Sequence, residues 1–330
     1  MPNVTVDGKV VNICRWDLSF QDCVDKPFYI TNVEISMILT SALIIIVFSF
    51  LVYRRQVLKT PLWSGKQFAP LDGLLFWILI WAILRIAASI IKLNDLWPTS
   101  IWRYVFFNVG WWIANIAVAT YTCGLFYAIP RMQSHRFSSI YTSTRTLYIP
   151  NPAIVPYLYW SLFALNIIFF ETFAILAIKA RFSKRSDLEL IFWRIHWTGI
   201  IVEQLILMSL LLYYGRMLVH LARECVILAA AEDEKNKYEN FANKMNSANF
   251  GFTIAFVWYI LSLTCFVLFS RRMFTDPLVN RIYAGVMENC SSLLAIGITF
   301  SMIYCEVKQT YSSLSQQELS TVWTLNNQEA

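Results

Sequence analysis

The sequence predicts an all-α membrane protein, a seven-transmembrane helix bundle with its N-terminus outside, and three observations lead there. Seven stretches of the 330-residue chain are long and apolar enough to cross a bilayer, each close to the ~20 residues a membrane helix needs. Hydrophobic residues make up 57% of the chain and charged ones 15%. The 13 Trp, 16 Tyr and 24 Phe supply rings that favour the membrane interface and helix–helix contacts. A buried soluble bundle is the competing class, and nothing in the chain reads as an independent soluble domain.

Residues 1–32 are polar and form an extracytosolic segment. No cleavable signal is expected there, because the first apolar stretch is already a full span and serves as its own insertion signal. That stretch is Val33–Tyr53, and Arg54 and Arg55 follow it. The second, Leu71–Ile91, carries Asp72 at its start and Arg85 within it, and the third, Arg103–Ile129, is followed by Pro130. The fourth, Ile154–Ala177, follows a loop punctuated by Pro130, Pro150 and Pro152. The fifth, sixth and seventh are Leu190–Tyr214, Phe252–Ser270 and Arg281–Tyr304. The membrane domain therefore covers residues 33–304, and residues 305–330 form a polar cytosolic tail rich in Ser, Thr, Gln and Asn, without a prenylation box.

The positive-inside rule does not set the orientation. With the N-terminus outside, inward segments hold 13 Lys/Arg and outward ones 12. Other signals favour that orientation. Asn3-Val4-Thr5 is a glycosylation acceptor, and Cys14 and Cys23 lie close enough to form a disulfide outside the cytosol. Asp7, Asp17, Asp22 and Asp25 also cluster there, whereas Arg54, Arg55, Lys59 and Lys66 precede any acid in the next loop. The other cysteines lack CxxC spacing and histidine partners, so no metal site is expected.

Five of the six connections are short. The exception, about residues 215–250, has no Gly or Pro between Gly215 and Gly251 and reads as a helical cytosolic extension. Met217, Leu218, Leu221, Cys225 and Leu228 recur at spacings of three and four, so the fifth span continues as an amphipathic rod. Glu232-Asp233-Glu234 and the lysines after it give a solvated stretch with ion-pair spacing. The rod is a surface helix or a docking element for a cytosolic partner. The loop from Arg131 to Asn151 carries three arginines and no acid, which suits anionic headgroups or a partner's phosphates.

Charged groups inside spans cost roughly 2.5–3.5 kcal/mol each on insertion scales, so they face the bundle interior. Among them here are Arg85, Glu171, His196, Glu203 and Glu288, with Asn108, Asn115 and Asn166 beside them. At about 1.5 Å per residue, Arg85, Glu171, His196 and Glu288 fall at a similar depth outward of their span midpoints, while Glu203 and Asn115 sit near the centre. His196 and Glu203 are seven apart and share a helix face, as do Asn108 and Asn115. Three carboxylates facing one arginine and one histidine are relieved by protonation or by a bound cation. The cluster is therefore a small-ligand or proton site, or a structural lock in which Arg85 pairs with Glu288 or Glu171. No phosphate loop, GxSxG elbow or HExxH motif appears, and no enzymatic activity or cofactor is expected.

Seven helices with a long helical fifth connection look like a G-protein-coupled receptor. The motifs of the largest receptor class are missing, since Leu125-Phe126-Tyr127-Ala128-Ile129-Pro130-Arg131 stands where its acidic-Arg-aromatic triplet would be. Asp276-Pro277-Leu278-Val279-Asn280-Arg281-Ile282-Tyr283, with Glu288 and Ser291-Ser292-Leu293 after it, resembles the seventh-helix region of the tobamovirus-multiplication family of seven-helix proteins. Thr120-Tyr121-Thr122 with Leu125 and Phe126 resembles that family's third helix. The proline that follows the glutamate in plant members is absent here. The resemblance implies a receptor-like endomembrane protein that hosts other proteins, viral replication proteins among them in plants. Related animal proteins sit on lysosomes and influence small GTPases.

The functional expectation is a receptor-like integral membrane protein of an endomembrane (vacuole or lysosome) or the plasma membrane, signalling or scaffolding through its cytosolic face. Its expected partners are membrane lipids and a cytosolic heterotrimeric G protein or small GTPase, with no nucleic acid. The alternative is an ion- or proton-coupled transporter or channel with Arg85, Glu171, Glu203 and Glu288 along its path. Seven spans do not divide into two equal repeats, which counts against it.

Overall fold

The structure is a computed structural model and describes residues 3–6, 9–14, 23–59, 63–64, 67–68, 70–96, 101–134, 155–183, 185–229, 231–304 and 306–307. Of the basic loop read from Arg131 to Asn151, residues 131–134 continue the third helix and the rest lie outside the described residues, as do the tail from 308 onward and the side chain of Asn3.

Helix α1 (Lys26–Gln56) is built inside out. Its buried face carries Asn32, Ser36 and Thr40, while Ile35, Ile38, Ile45 and Phe48 are 46–69% exposed. A helix in water would bury the isoleucines and show the hydroxyls; this one turns its polar groups to its neighbours and its aliphatic groups to the surroundings, as lipid requires. Together with α2 (Pro70–Leu93), α3 (Ile101–Ser134), α4 (Val155–Phe182), α5 (Ser186–Leu228), α6 (Glu232–Thr275) and α7 (Pro277–Tyr304) it makes the bundle. Among the described residues five helices are long and apolar enough to cross a membrane, within α1, α2, α5, α6 and α7. The third apolar stretch of the sequence lies within α3, of 34 residues, and residues 155–177 of the fourth lie within α4, of 28 residues. The chain is an all-helical, multi-pass membrane protein apart from short strand pairs at its edges.

Those strands were not read from the sequence. β1 (Asn3–Val6) pairs antiparallel with β2 (Lys9–Ile13), and β3 (Cys23–Val24) runs parallel to β2. The Asp7-Gly8 dipeptide between the first two is a strong hairpin signal. A disulfide joins Cys14 to Cys23, and Cys14, fully buried, packs with Tyr29 and Val33 at the head of α1. A second pair, β4 (Trp63–Ser64) and β5 (Gln67–Phe68), lies between α1 and α2.

Long apolar helices align with their neighbours, and the side-chain pairs fix their directions. Arg194 with Ser270, and Gly215 with Asn249, make α5 and α6 antiparallel. Ser247 with Ser301, and Tyr283 with the Ser262 carbonyl, do the same for α6 and α7. By contrast α1 and α7 are parallel, because the bonded pairs Tyr29–Asn280, Asn32–Ala284, Ser36–Glu288, Thr40–Ser292 and Arg54–Glu306 advance in the same direction along the chain. The segments before α1 and after α7 therefore lie at opposite ends of the bundle.

The long fifth connection is a hairpin rather than one rod. α5 stops at Leu228, Ala229 and Ala231 are extended, and α6 starts at Glu232. Helix propensity alone carries this alanine-rich stretch straight on; burial of Leu218, Leu221 and Ala222 against Ala242, Met245 and Ala248 outweighs it.

Candidate functional site

The α1–α7 seam is a ladder of polar contacts at helical spacing. Tyr29 donates to the Asn280 side chain, Asn32 to the Ala284 carbonyl at 3.3 Å, Ser36 to the Glu288 carbonyl at 3.0 Å, and Thr40 pairs with Ser292 at 3.1 Å. Tyr29, Ser36, Thr40, Asn280 and Ser292 are almost fully buried. In lipid such bonds act as glue between helices that gain little from apolar contact alone.

Glu288 sits in the middle of this seam on a π-helical turn, Val286–Cys290. A π turn replaces the usual carbonyl bond and re-aims the backbone. The Glu288 carbonyl accepts from Ser36 and from Arg85 Nη2 at 2.8 Å. Its side chain, 2% exposed, is gripped twice: Arg85 Nη2 lies 3.0 Å from Oε2, and the Lys92 ammonium bonds Oε1. Arg85 also lies over the Trp81 and Trp111 rings at 5.7 and 5.3 Å, and Lys92 over Phe107 at 5.4 Å. The cations are thus held from one side by a carboxylate and from the others by ring faces. A void of about 10 Å³ beside Arg85, Lys92 and Glu288 has room for about one water.

Sequence reasoning missed Lys92, which fell one residue beyond the second predicted span. A usable signal was present: Lys92 is seven residues from Arg85, so the two share a helix face. Its arrival reverses the charge balance expected around Glu288, which faces two cations rather than competing with other carboxylates.

The remaining predicted residues are distributed over other interfaces. Between α3 and α4, Glu171 accepts from the Trp112 indole and from Asn108 at 3.4 Å. Between α3 and α5, Asn115 donates to Glu203 at 3.4 Å and accepts from Gln204 at 2.7 Å. His196, 1% exposed, stands edge-on between Trp193 and Trp197, with centroids 5.7 and 5.0 Å away. Arg85 and Glu288 are brought together, Asn108 and Glu171 are brought together, and Asn115 and Glu203 are brought together, each pair on its own helix interface.

A second charged centre lies at the opposite end of α1. Arg54, 7% exposed, grips Asp72 of α2 with two bonds of 2.8 and 3.2 Å and reaches Glu306 beyond α7. Glu306 also takes Lys244 of α6. The ends of α1, α2 and α7 are tied here to the side of α6, next to the base of the α5–α6 hairpin. The sequence shows Arg54 just after one span and Asp72 at the start of the next, and only the fold brings them together.

Comparison of the chain with known protein families, curated proteins and solved structures finds no match.

Proposed function

We propose that this is a seven-span, receptor-like membrane protein that signals or scaffolds through the end of the bundle bearing Arg54, Asp72, Lys244 and Glu306. The observation that carries the reading is the joining of the projecting α5–α6 hairpin to the core at that end. α5 and α6 are 43 and 44 residues long, about twice what a bilayer needs, so their joined ends extend roughly 30 Å beyond it. Lys244 near the base of α6 shares Glu306 with Arg54, so a partner that moves the hairpin acts on α1, α2 and α7 at once. This end is opposite the disulfide-bearing N-terminal segment, and a cytosolic assignment for it agrees with the acceptor at Asn3 and with the basic residues after α1. The resemblance of the Asp276–Tyr283 run to the tobamovirus-multiplication family supports a hosting role, with a heterotrimeric G protein or a small GTPase as partner.

Proximity labelling from the C-terminal tail in the native cell, beside a glycosidase shift at Asn3, tests this. Enrichment of G-protein subunits or of small GTPases is expected. Enrichment of lumenal or extracellular proteins, with no glycosidase shift, overturns both the orientation and the reading. The transporter alternative predicts proton or cation flux into liposomes carrying the purified chain, whereas the receptor-like reading predicts flux no greater than empty vesicles.

A further inference from the structure

A cavity of about 140 Å³ lies between α2, α3, α5, α6 and α7. An engineered protein cavity of about 150 Å³ admits benzene, so a single ring is the right scale. None of the residues lining it carries a charge, and its walls are formed by side chains such as Leu74, Phe252 and Phe256. Asn115 and Gln204 reach it but bond each other, and Ser291 donates to the Met287 carbonyl. These polar groups are already occupied.

The rest of the wall is aliphatic and aromatic. The Trp81 and Trp111 side chains, 4% and 8% exposed, line the cavity, and their indole nitrogens are shut off from open space. Trp111 stacks on Tyr259 at 5.3 Å, so the aromatic groups form one surface. A charged guest would lose its hydration against a wall that offers no counter-charge; a flat apolar guest loses nothing and regains dispersion contacts.

We propose that this cavity is a binding site for a small, uncharged aromatic or alicyclic molecule. The site is separate from the surface that meets a cytosolic partner, and its occupancy is measured without reference to signalling. Trp81 and Trp111 belong both to its wall and to the rings beneath Arg85, so the guest touches the residues that hold the Glu288 clamp.

The test uses the full chain in lipid nanodiscs and ¹⁹F NMR of 4-fluoroacetophenone, with 4-fluorobenzoate and 4-fluorobenzylammonium as charged probes of similar shape. The expected result is a saturable bound signal for the ketone, distinct from its lipid-dissolved signal, and none for the charged probes. Ala117→Leu, on the cavity wall, fills the space and removes the bound signal; Ala255→Leu does the same from α6 and stands in if the first variant fails to fold. Absence of a saturable signal for the ketone, equal signals from all three probes, or an undiminished signal in a folded cavity-filling variant overturns the proposal.

Discussion

The α1–α2–α7 face and the α5–α6 hairpin are both long helix packings, yet different forces hold them. On the first face α1 presents polar groups to α7 at Tyr29, Asn32, Ser36 and Thr40, and a carboxylate between two cations ties in α2. In the hairpin, small and aliphatic residues interlock, with Gly215 pressed against Asn249 and Ala222 buried beside Ala242 and Met245. The contrast follows the solvent. Within lipid, apolar contact between helices gains little over contact with acyl chains, so hydrogen bonds and ion pairs carry specificity. Where the hairpin leaves the membrane, burial of apolar surface from water again drives association.

The comparison is most easily broken at Glu288. Glu288→Gln leaves Arg85 and Lys92 buried without a counter-charge, and loss of one partner of a buried pair costs about 3–5 kcal/mol. Thermal unfolding in nanodiscs should show this as the largest loss of any single conservative change on the α1–α7 face. Lys92→Gln should cost less, since Arg85 remains on the carboxylate. The double variant should be clearly less destabilised than the sum of the two, because the groups form one network. Additive losses would separate the residues and dissolve the clamp.

Asp72→Asn probes the same kind of force at the opposite end. Arg54 keeps Glu306 but loses a two-bond carboxylate partner, worth about 1.5–3 kcal/mol for hydrogen bonds to charged groups. Spin labels on α1 and α6 should report a broader distance distribution at that end, because Glu306 then bridges Arg54 and Lys244 without support from α2. An unchanged distribution would show that the hairpin is anchored independently of the charged centre.

Gly215→Ala turns to the apolar side of the comparison. A Cβ at that position would sit 2.5 Å from the Asn249 side chain, itself buried. Overpacking of this kind costs about 1–3 kcal/mol. The effect should be confined to the hairpin, so faster amide exchange across Leu211–Ala222 and Ala242–Phe252, with α1 and α7 unaffected, is the expected pattern.

Much of this architecture is legible in the sequence, because a membrane helix announces itself by length and apolarity. The α5 extension was readable from its spacing, but not its reversal before Glu232, which depends on burial between two distant segments. The pairing of Arg85 with Glu288 was one of two alternatives the spans allow, and depth alone does not choose between Glu288 and Glu171. Lys92 was hidden by a span boundary one residue short, although its spacing from Arg85 gave the clue. The π turn has no signal in composition or periodicity, since it arises where Ser36 and Arg85 compete for a backbone carbonyl. The Arg54–Asp72–Glu306 centre joins three segments far apart in the chain, and charges near span ends look alike until the helices are packed.

The finest distinction lies along the α1–α7 ladder. Thr40→Val keeps the shape of a β-branched side chain and deletes the hydroxyl that bonds Ser292 at 3.1 Å and the Ser36 carbonyl at 2.7 Å. Interhelical side-chain bonds in a membrane protein average about 0.6 kcal/mol, because groups freed in the membrane find other partners. Here Ser292, fully buried, retains its own helix as an alternative acceptor. The expected loss is therefore about 0.6 kcal/mol, and Thr40→Val with Ser292→Ala should cost little more than either change alone. A loss as large as that of Glu288→Gln would mean that the ladder holds α1 and α7 by cooperation among its rungs, with the ion clamp only one rung of the set.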